Sequence, residues 1–169
     1  FRDADRVRIH PIISNGGDLV NVIPDKAVIE TYVRAANPNA LRDACSKVDN
    51  AARAGALAMG AECEIENIRG YAPLQQDPVI SRVFEENARM FYAENEITYG
   101  QDMTGSTDMG DMTTLWPTAY MHCGGAIGSG HGNNYYVNDP ESACVTPAKV
   151  LCVLTRMLLE NDAAKLKEI

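Results

Sequence analysis

The sequence predicts a mixed α/β protein built in two parts of different texture. Three observations carry this. A β-rich run and an alternating run lie within the first 34 residues, separated by a turn signal. A long stretch after Asn37 repeats small apolar residues at helical spacing. Beyond residue 74, helical patterns flank a glycine-rich region that covers residues 99–138.

The elements follow in order. Val7-Arg8-Ile9-His10-Pro11-Ile12-Ile13 is rich in β-branched residues and ends at Asn15-Gly16-Gly17-Asp18, a turn sequence. Residues 27–34 alternate: Ala27, Ile29, Thr31 and Val33 face one way, and Val28, Glu30, Tyr32 and Arg34 the other. Asn37 is placed to cap a helix whose first position is Pro38. Leu41, Ala44, Cys45, Val48, Ala51, Ala52, Gly55 and Met59 form one narrow stripe suited to close packing on a sheet, and Gly60 is the stop signal. Residues 61–67 alternate again, with Ala61, Cys63 and Ile65 inward and Glu62, Glu64 and Glu66 outward, and read as a third strand. Strand, strand, helix, strand is most of an antiparallel α+β sandwich. In the second part, Val79, Val83, Phe84, Asn87, Met90 and Phe91 mark a helix starting near Asp77-Pro78. Residues 119–123 read as a short strand. A last helix begins at Thr146-Pro147 and runs through Val150, Leu151, Leu154 and Leu158. The division is therefore 1–73 and 74–169.

Composition narrows the function classes. Hydrophobic residues make up 46% and charged residues 22%, a globular balance. Fifteen Lys and Arg against 23 Asp and Glu give a net charge of −8, which repels phosphate backbones and speaks against nucleic acid as a partner. No run reaches the ~18 uninterrupted apolar residues of a membrane span. Five cysteines at irregular spacings, with no Cys-x-x-Cys, exclude zinc ribbons and thioredoxin-like motifs, and most of them sit in apolar settings and read as reduced core thiols of a cytoplasmic protein. The chain opens on Phe1, without methionine and almost directly into a strand, which reads as a trimmed or partial chain.

Several residues have side chains able to do chemistry. His131 lies between Gly130 and Gly132; it is either a surface histidine in a loop or an imidazole free to reach a metal or substrate. Ser106, Thr107, Asp108 and Asp111 combine hydroxyls with carboxylates three apart. They suit a metal or a histidine partner, and equally the start of a helix. Asn21 and Arg34, an amide and a guanidinium fork, are the natural pair for a carboxylate; the alternative is an edge arginine making surface contacts. Glu85-Glu86 sits on an amphipathic helix where charges face solvent. Gly125-x-x-Gly128-x-Gly130 lacks the lysine and the following helix of a phosphate loop. His10, mid-strand, and His122, in an apolar run, read as structural histidines.

Together these segments resemble a known family. Ser14-Asn15-Gly16-Gly17-Asp18-Leu19-Val20-Asn21-Val22-Ile23-Pro24-Asp25, followed by Tyr32-Val33-Arg34-Ala35, is similar to the lid, or dimerisation, domain of the dinuclear metallo-amidohydrolases. That family includes aminoacylase, glutamate carboxypeptidase and p-aminobenzoyl-glutamate hydrolase. Gly105-Ser106-Thr107-Asp108-Met109-Gly110-Asp111 and Gly128-Ser129-Gly130-His131-Gly132 resemble closing segments of its catalytic domain. The likeness is strongest to the p-aminobenzoyl-glutamate and indole-acetyl-amino-acid hydrolase branch.

The resemblance implies a partial ferredoxin-like α+β lid over 1–73 and the C-terminal part of an α/β metallopeptidase catalytic domain over 74–169. It implies that Asn21 and Arg34 hold the substrate carboxylate, in this family often in the partner subunit's active site. His131 matches the C-terminal histidine ligand of the metal pair. Ser106, Thr107 and Asp108 match a substrate-side loop beside the active site. The implied activity is cleavage of the amide bond of N-acyl or N-aroyl amino acids by two divalent ions, zinc or manganese, in a homodimer joined through the lid. The family's other metal ligands and its glutamate base precede the lid, and no match to them stands in this chain. Glu85-Glu86 follows the lid and does not carry over. The first strand and helix of the lid, and a histidine that stabilises the oxyanion, are likewise unmatched. The expectation is therefore the C-terminal ~40–45% of a family member, with no complete catalytic set and no tightly held metal of its own. The rival expectation is a non-catalytic dimerisation module, or a subunit complemented by another chain.

Overall fold

Local signals place the helices and one hairpin, and non-local pairing decides the rest. A computed structural model describes residues 1–98, 105–164 and 167. These divide into two compact units, Phe1–Leu74 with Ser106–Asp111, and Gln75–Gly105 with Met112–Ile169.

In the first unit, strand β1 (Arg8–Asn15) pairs antiparallel with β2 (Val28–Arg34). The register sets Arg8 opposite Arg34, His10 opposite Tyr32 and Ile12 opposite Glu30 on one face. Ile9 with Val33, Pro11 with Thr31, and Ile13 with Ile29 occupy the other. The connecting loop turns at Gly17, whose φ of 110° only glycine adopts readily. Its N–H donates to Asn15 Oδ1 at 3.2 Å.

Helix α1 (Pro38–Met59) starts and stops where the sequence predicts. Asn37 Oδ1 accepts from Ala40 N at 2.9 Å, Pro38 opens the first turn, and Gly60 ends the helix at φ 69°. The helix lies beside β2, and Ala40 and Ala44 are buried. The predicted stripe is covered only in its first half: Ala51, Ala52, Gly55 and Met59 are exposed. The reason is length. Twenty-two helical residues span about 33 Å, whereas the seven of β2 span about 23 Å.

The predicted third strand over 61–67 does not form among the described residues. Its alternation is real, but alternation makes a strand only beside a free ladder partner. This segment instead runs back along α1, where Asn67 Nδ2 donates to Asp49 Oδ2 at 3.3 Å. The unit closes with Ala72 N donating to Asp111 Oδ1 at 2.9 Å, while buried Gly110 lies against the Ala72 carbonyl.

In the second unit, Asp77 caps α2 (Pro78–Ala88) by accepting from Val79 N at 2.8 Å and Ile80 N at 3.0 Å. Helix α3 (Met109–Leu115) begins in the first unit and ends in the second. Tyr120 N donates to Gln76 Oε1 at 2.7 Å and Asp77 N to Thr118 O at 2.9 Å. These bonds hold the stretch around 119–123 beside the entry to α2, and among the described residues it pairs in no ladder, so the strand expected there does not form. The ladder lies further on, where β3 (Ala126–Ile127) pairs antiparallel with β4 (Tyr136–Val137). A π-helical turn at Glu141–Val145 leads into α4 (Thr146–Ala163), which packs on α2. Val150, Leu154 and Ala88 are buried, and buried Asn87 donates to Val83 O at 2.7 Å. Residues 99–104, the start of the glycine-rich region, lie outside the described residues.

Among the described residues the fold is thus mixed α/β with two small sheets. None of the cysteines is a core thiol: Cys45 is half-buried, Cys63, Cys123, Cys144 and Cys152 are exposed, and all five are unpaired. The stretch Glu141–Asn161 has the length and mean hydropathy (1.5) of a membrane span. Lys149 and Arg156 fall inside it, and a charge at mid-membrane is costly.

Candidate functional site

Asn21, Arg34, Ser106, Thr107 and Asp108 belong to the first unit and His131 to the second. Asn21 lies exposed in the turn after β1, next to Val22, whose N–H donates to Leu19 O at 3.3 Å. Arg34 ends β2, half-buried. Its guanidinium carbon stands 5.6 Å from the centre of the Tyr32 ring, a cation–π distance that stiffens the side chain. Alternation along β2 puts Tyr32 and Arg34 on one face, and the register adds Arg8 and His10 to it.

Ser106, Thr107 and Asp108 also belong to the first unit. Thr107 Oγ1 accepts from Met109 N at 3.3 Å and donates to Asp108 Oδ1 at 3.2 Å. Thr107 thus caps α3, and Asp111 ties the helix to Ala72. The geometry shows the helix-start arrangement for these two residues, while Ser106 and Asp108 are exposed.

His131 belongs to the second unit and is exposed. Its backbone is left-handed at φ 64°, a conformation costing a non-glycine residue about 1 kcal/mol. A tight turn imposes it: Gly132 N donates to Ser129 O at 2.8 Å, and Ser129 N to Asn134 Oδ1 at 3.2 Å. The glycines this turn requires are Gly128 and Gly132. Gly128 has φ 103°, and a Cβ on Gly132 would sit 2.6 Å from Asn134 Oδ1. Gly130 has open space around it, so only one of the glycines flanking His131 is needed for close approach.

The remaining sequence candidates resolve as surface or ring contacts. Glu85 pairs with Arg89 at 2.8 Å and Glu86 is exposed, as expected for a solvated helix face. His122 packs edge-on to Tyr120 with centroids 5.0 Å apart. Among the described residues no three His, Cys, Asp or Glu side chains converge to hold a metal. Among the described residues His131 therefore has no pair of further His, Cys, Asp or Glu side chains grouped with it.

Two features of the structure lie outside the sequence pattern. The pairing of Arg8 with Arg34 depends on hairpin register. The Asp111 tether joins residues 39 apart. An arginine at each end of a hairpin is a visible signal for the first. The second has none.

No protein-family model matches the chain, and no solved structure does. It is 32% identical over 122 residues to the human Xaa-Arg dipeptidase, covering 69% of this chain and 28% of that protein. It is 30% identical over 115 residues to the mouse Xaa-Arg dipeptidase, covering 65% and 26%. It is 27% identical over 130 residues to the uncharacterized hydrolase y4tI of Sinorhizobium fredii (strain NBRC 101917 / NGR234), covering 76% and 31%. The matched stretch spans between about a quarter and a third of those relatives. Over most of its length the chain is thus a distant relative of hydrolases, two of them named as dipeptidases.

Proposed function

We propose that this chain supplies the carboxylate-binding lid and one metal-ligating imidazole of a metal-dependent amidohydrolase that cleaves N-acyl or N-aroyl amino acids. The observation that carries this is Arg34: a half-buried guanidinium, stacked on Tyr32 at the end of a strand, in a chain whose relatives are a dipeptidase and a hydrolase. A planar fork of donors binds a carboxylate through two parallel hydrogen bonds. Asn21, carried on the hairpin loop, adds an amide donor, and Ser106, Thr107 and Asp108 border the substrate. His131, held in a strained turn at the tip of a glycine loop, would be one ligand of a zinc or manganese pair. Metal ions bound there would activate water and polarise the amide carbonyl. One imidazole does not by itself hold such a pair. The other ligands would come from further polypeptide.

A lid that also joins two copies is supported by uncovered apolar surface. Ile12, Ile13 and Ile29 of the β1–β2 ribbon are 61%, 72% and 64% exposed. A homodimer through the face that carries Ile13 and Ile29 would cover those two.

Calorimetric titration with N-acetylglycine and with its uncharged methyl amide tests the carboxylate site. The acid should bind and the amide should not, and Arg34→Ala should erase the difference. Equal binding of both by the unaltered chain would refute the assignment. Sedimentation of the same sample reports the dimer.

A further inference from the structure

Two exposed thiols of the second unit, far apart in sequence, are brought together where the glycine-rich hairpin leaves and rejoins the helices. Cys123 lies just before β3 and Cys144 in the π-helical turn that opens α4. Cys123 Sγ donates to Ala143 O at 3.4 Å. A carbonyl oxygen lies about 2.8 Å from the next Cα across a trans peptide. Cys123 Sγ therefore stands within about 6 Å of Cys144 Cα. Bridged cysteines usually have Cα atoms about 4.4–6.8 Å apart, so the approach is of the right order for a disulfide. The backbones around the pair are held close as well. Gly125 O accepts from Asn138 N at 2.8 Å and from Asp139 N at 2.9 Å. A Cβ on Gly125 would sit 2.6 Å from Ala143 N and 2.9 Å from Ala143 Cβ. Cys152 lies eight residues beyond Cys144, about 12 Å along the helix, and Cys45 and Cys63 belong to the first unit. Cys144 is thus the partner within reach.

We propose that Cys123 and Cys144 form a reversible disulfide when the chain meets a hydroperoxide. One thiolate attacks the O–O bond, becomes a sulfenic acid, and the other peroxide oxygen leaves as water. The second thiolate attacks that sulfur; the S–S bond forms, the S–O bond breaks and the oxygen leaves as a second water. Two thiols lose two electrons, one peroxide gains them, and both thiol protons end in water. Exposure lets the oxidant in, and the neighbouring thiol captures the sulfenic acid before it oxidises further. The bond would close a ring over residues 123–144, which holds β3, β4 and the turn that carries His131. It would fasten both ends of that hairpin to the start of α4. The inference is independent of the carboxylate and metal readings.

The reduced 169-residue chain, treated with one equivalent of hydrogen peroxide, tests it. Two of its five thiols should be lost, and the mass should fall by two hydrogen atoms. A peptide map should show residue 123 joined to residue 144, and dithiothreitol should restore every thiol. Amides of residues 124–143 should exchange hydrogen more slowly in the linked chain than in the reduced one. Cys123→Ser and Cys144→Ser should each prevent the link, and Cys152→Ser should leave it. The map is read on the unaltered chain, so a variant that fails to fold does not decide the outcome. A link between another pair, a link only between two chains, or oxygen added at Cys123 and Cys144 without a link would overturn the disulfide. A 123–144 link with unchanged exchange would overturn the fastening of the hairpin.

Discussion

Gly110→Ala is the most informative single change in the first unit. Gly110 is buried, and a Cβ at this position would overlap the carbonyl oxygen of Ala72 and stand only 2.9 Å from its carbonyl carbon. The obstacle is backbone, so no rotamer change relieves it. Either α3 or the segment around Ala72 has to move. Movement stretches the 2.9 Å bond from Ala72 N to the neighbouring Asp111 carboxylate. Losing a hydrogen bond to a charged acceptor costs about 1.5–3 kcal/mol. Overpacking against a rigid neighbour costs about 1–3 kcal/mol more. The sum, about 2.5–6 kcal/mol, is a large share of the ~5–15 kcal/mol that stabilises an ordinary domain. Urea unfolding followed by circular dichroism measures it as a lowered midpoint. Two glycines serve as controls. Gly55 lies inside α1, and a methyl group there would meet nothing within 4 Å, so Gly55→Ala should stabilise by about 1 kcal/mol. Gly130 also has open space, and Gly130→Ala should change little. A Gly110→Ala midpoint equal to that of the unaltered chain would show that the close approach of α3 to Ala72 is not part of the folded state.

Two further outcomes follow from local geometry. Asp139 accepts from Ser142 Oγ at 2.6 Å and from the Ser142 and Glu141 N–H groups, and these bonds hold its carboxyl below the ordinary range. The folded chain thus binds fewer protons here than the unfolded chain. The contribution is complete above the ordinary carboxylate value of about 3.9 and is lost as pH falls through the folded value. Ser142→Ala should raise the Asp139 value in a carboxyl-detected NMR titration, and an unmoved titration would exclude the hydroxyl as the main cause. His131→Gly should relieve the left-handed strain and stabilise by about 1 kcal/mol in urea. A destabilised variant would mean that the imidazole itself supports the turn.

What the chain specifies locally is legible in its residues. Asn37, Pro38 and Gly60 delimit α1 because a cap side chain, a fixed φ and a left-handed stop act within one turn. Asp77-Pro78 opens α2 for the same reason. Alternation over residues 27–34 predicts which side chains share a face, so Tyr32 and Arg34 stand together before any partner strand is known. Hairpin register, close approach and burial are beyond that reach. Residues 61–67 alternate as cleanly as β2 yet form no strand, because a ladder needs a partner that the sequence pattern does not supply. The second half of the α1 stripe is exposed because a two-stranded ribbon is shorter than the helix beside it. Arg8 meets Arg34, and Asp111 meets Ala72, only after distant segments fold together. Local backbone physics acts over a few residues and is written in the sequence, while the placing of Arg8 opposite Arg34 on a ladder is decided by which strands pair and in what register.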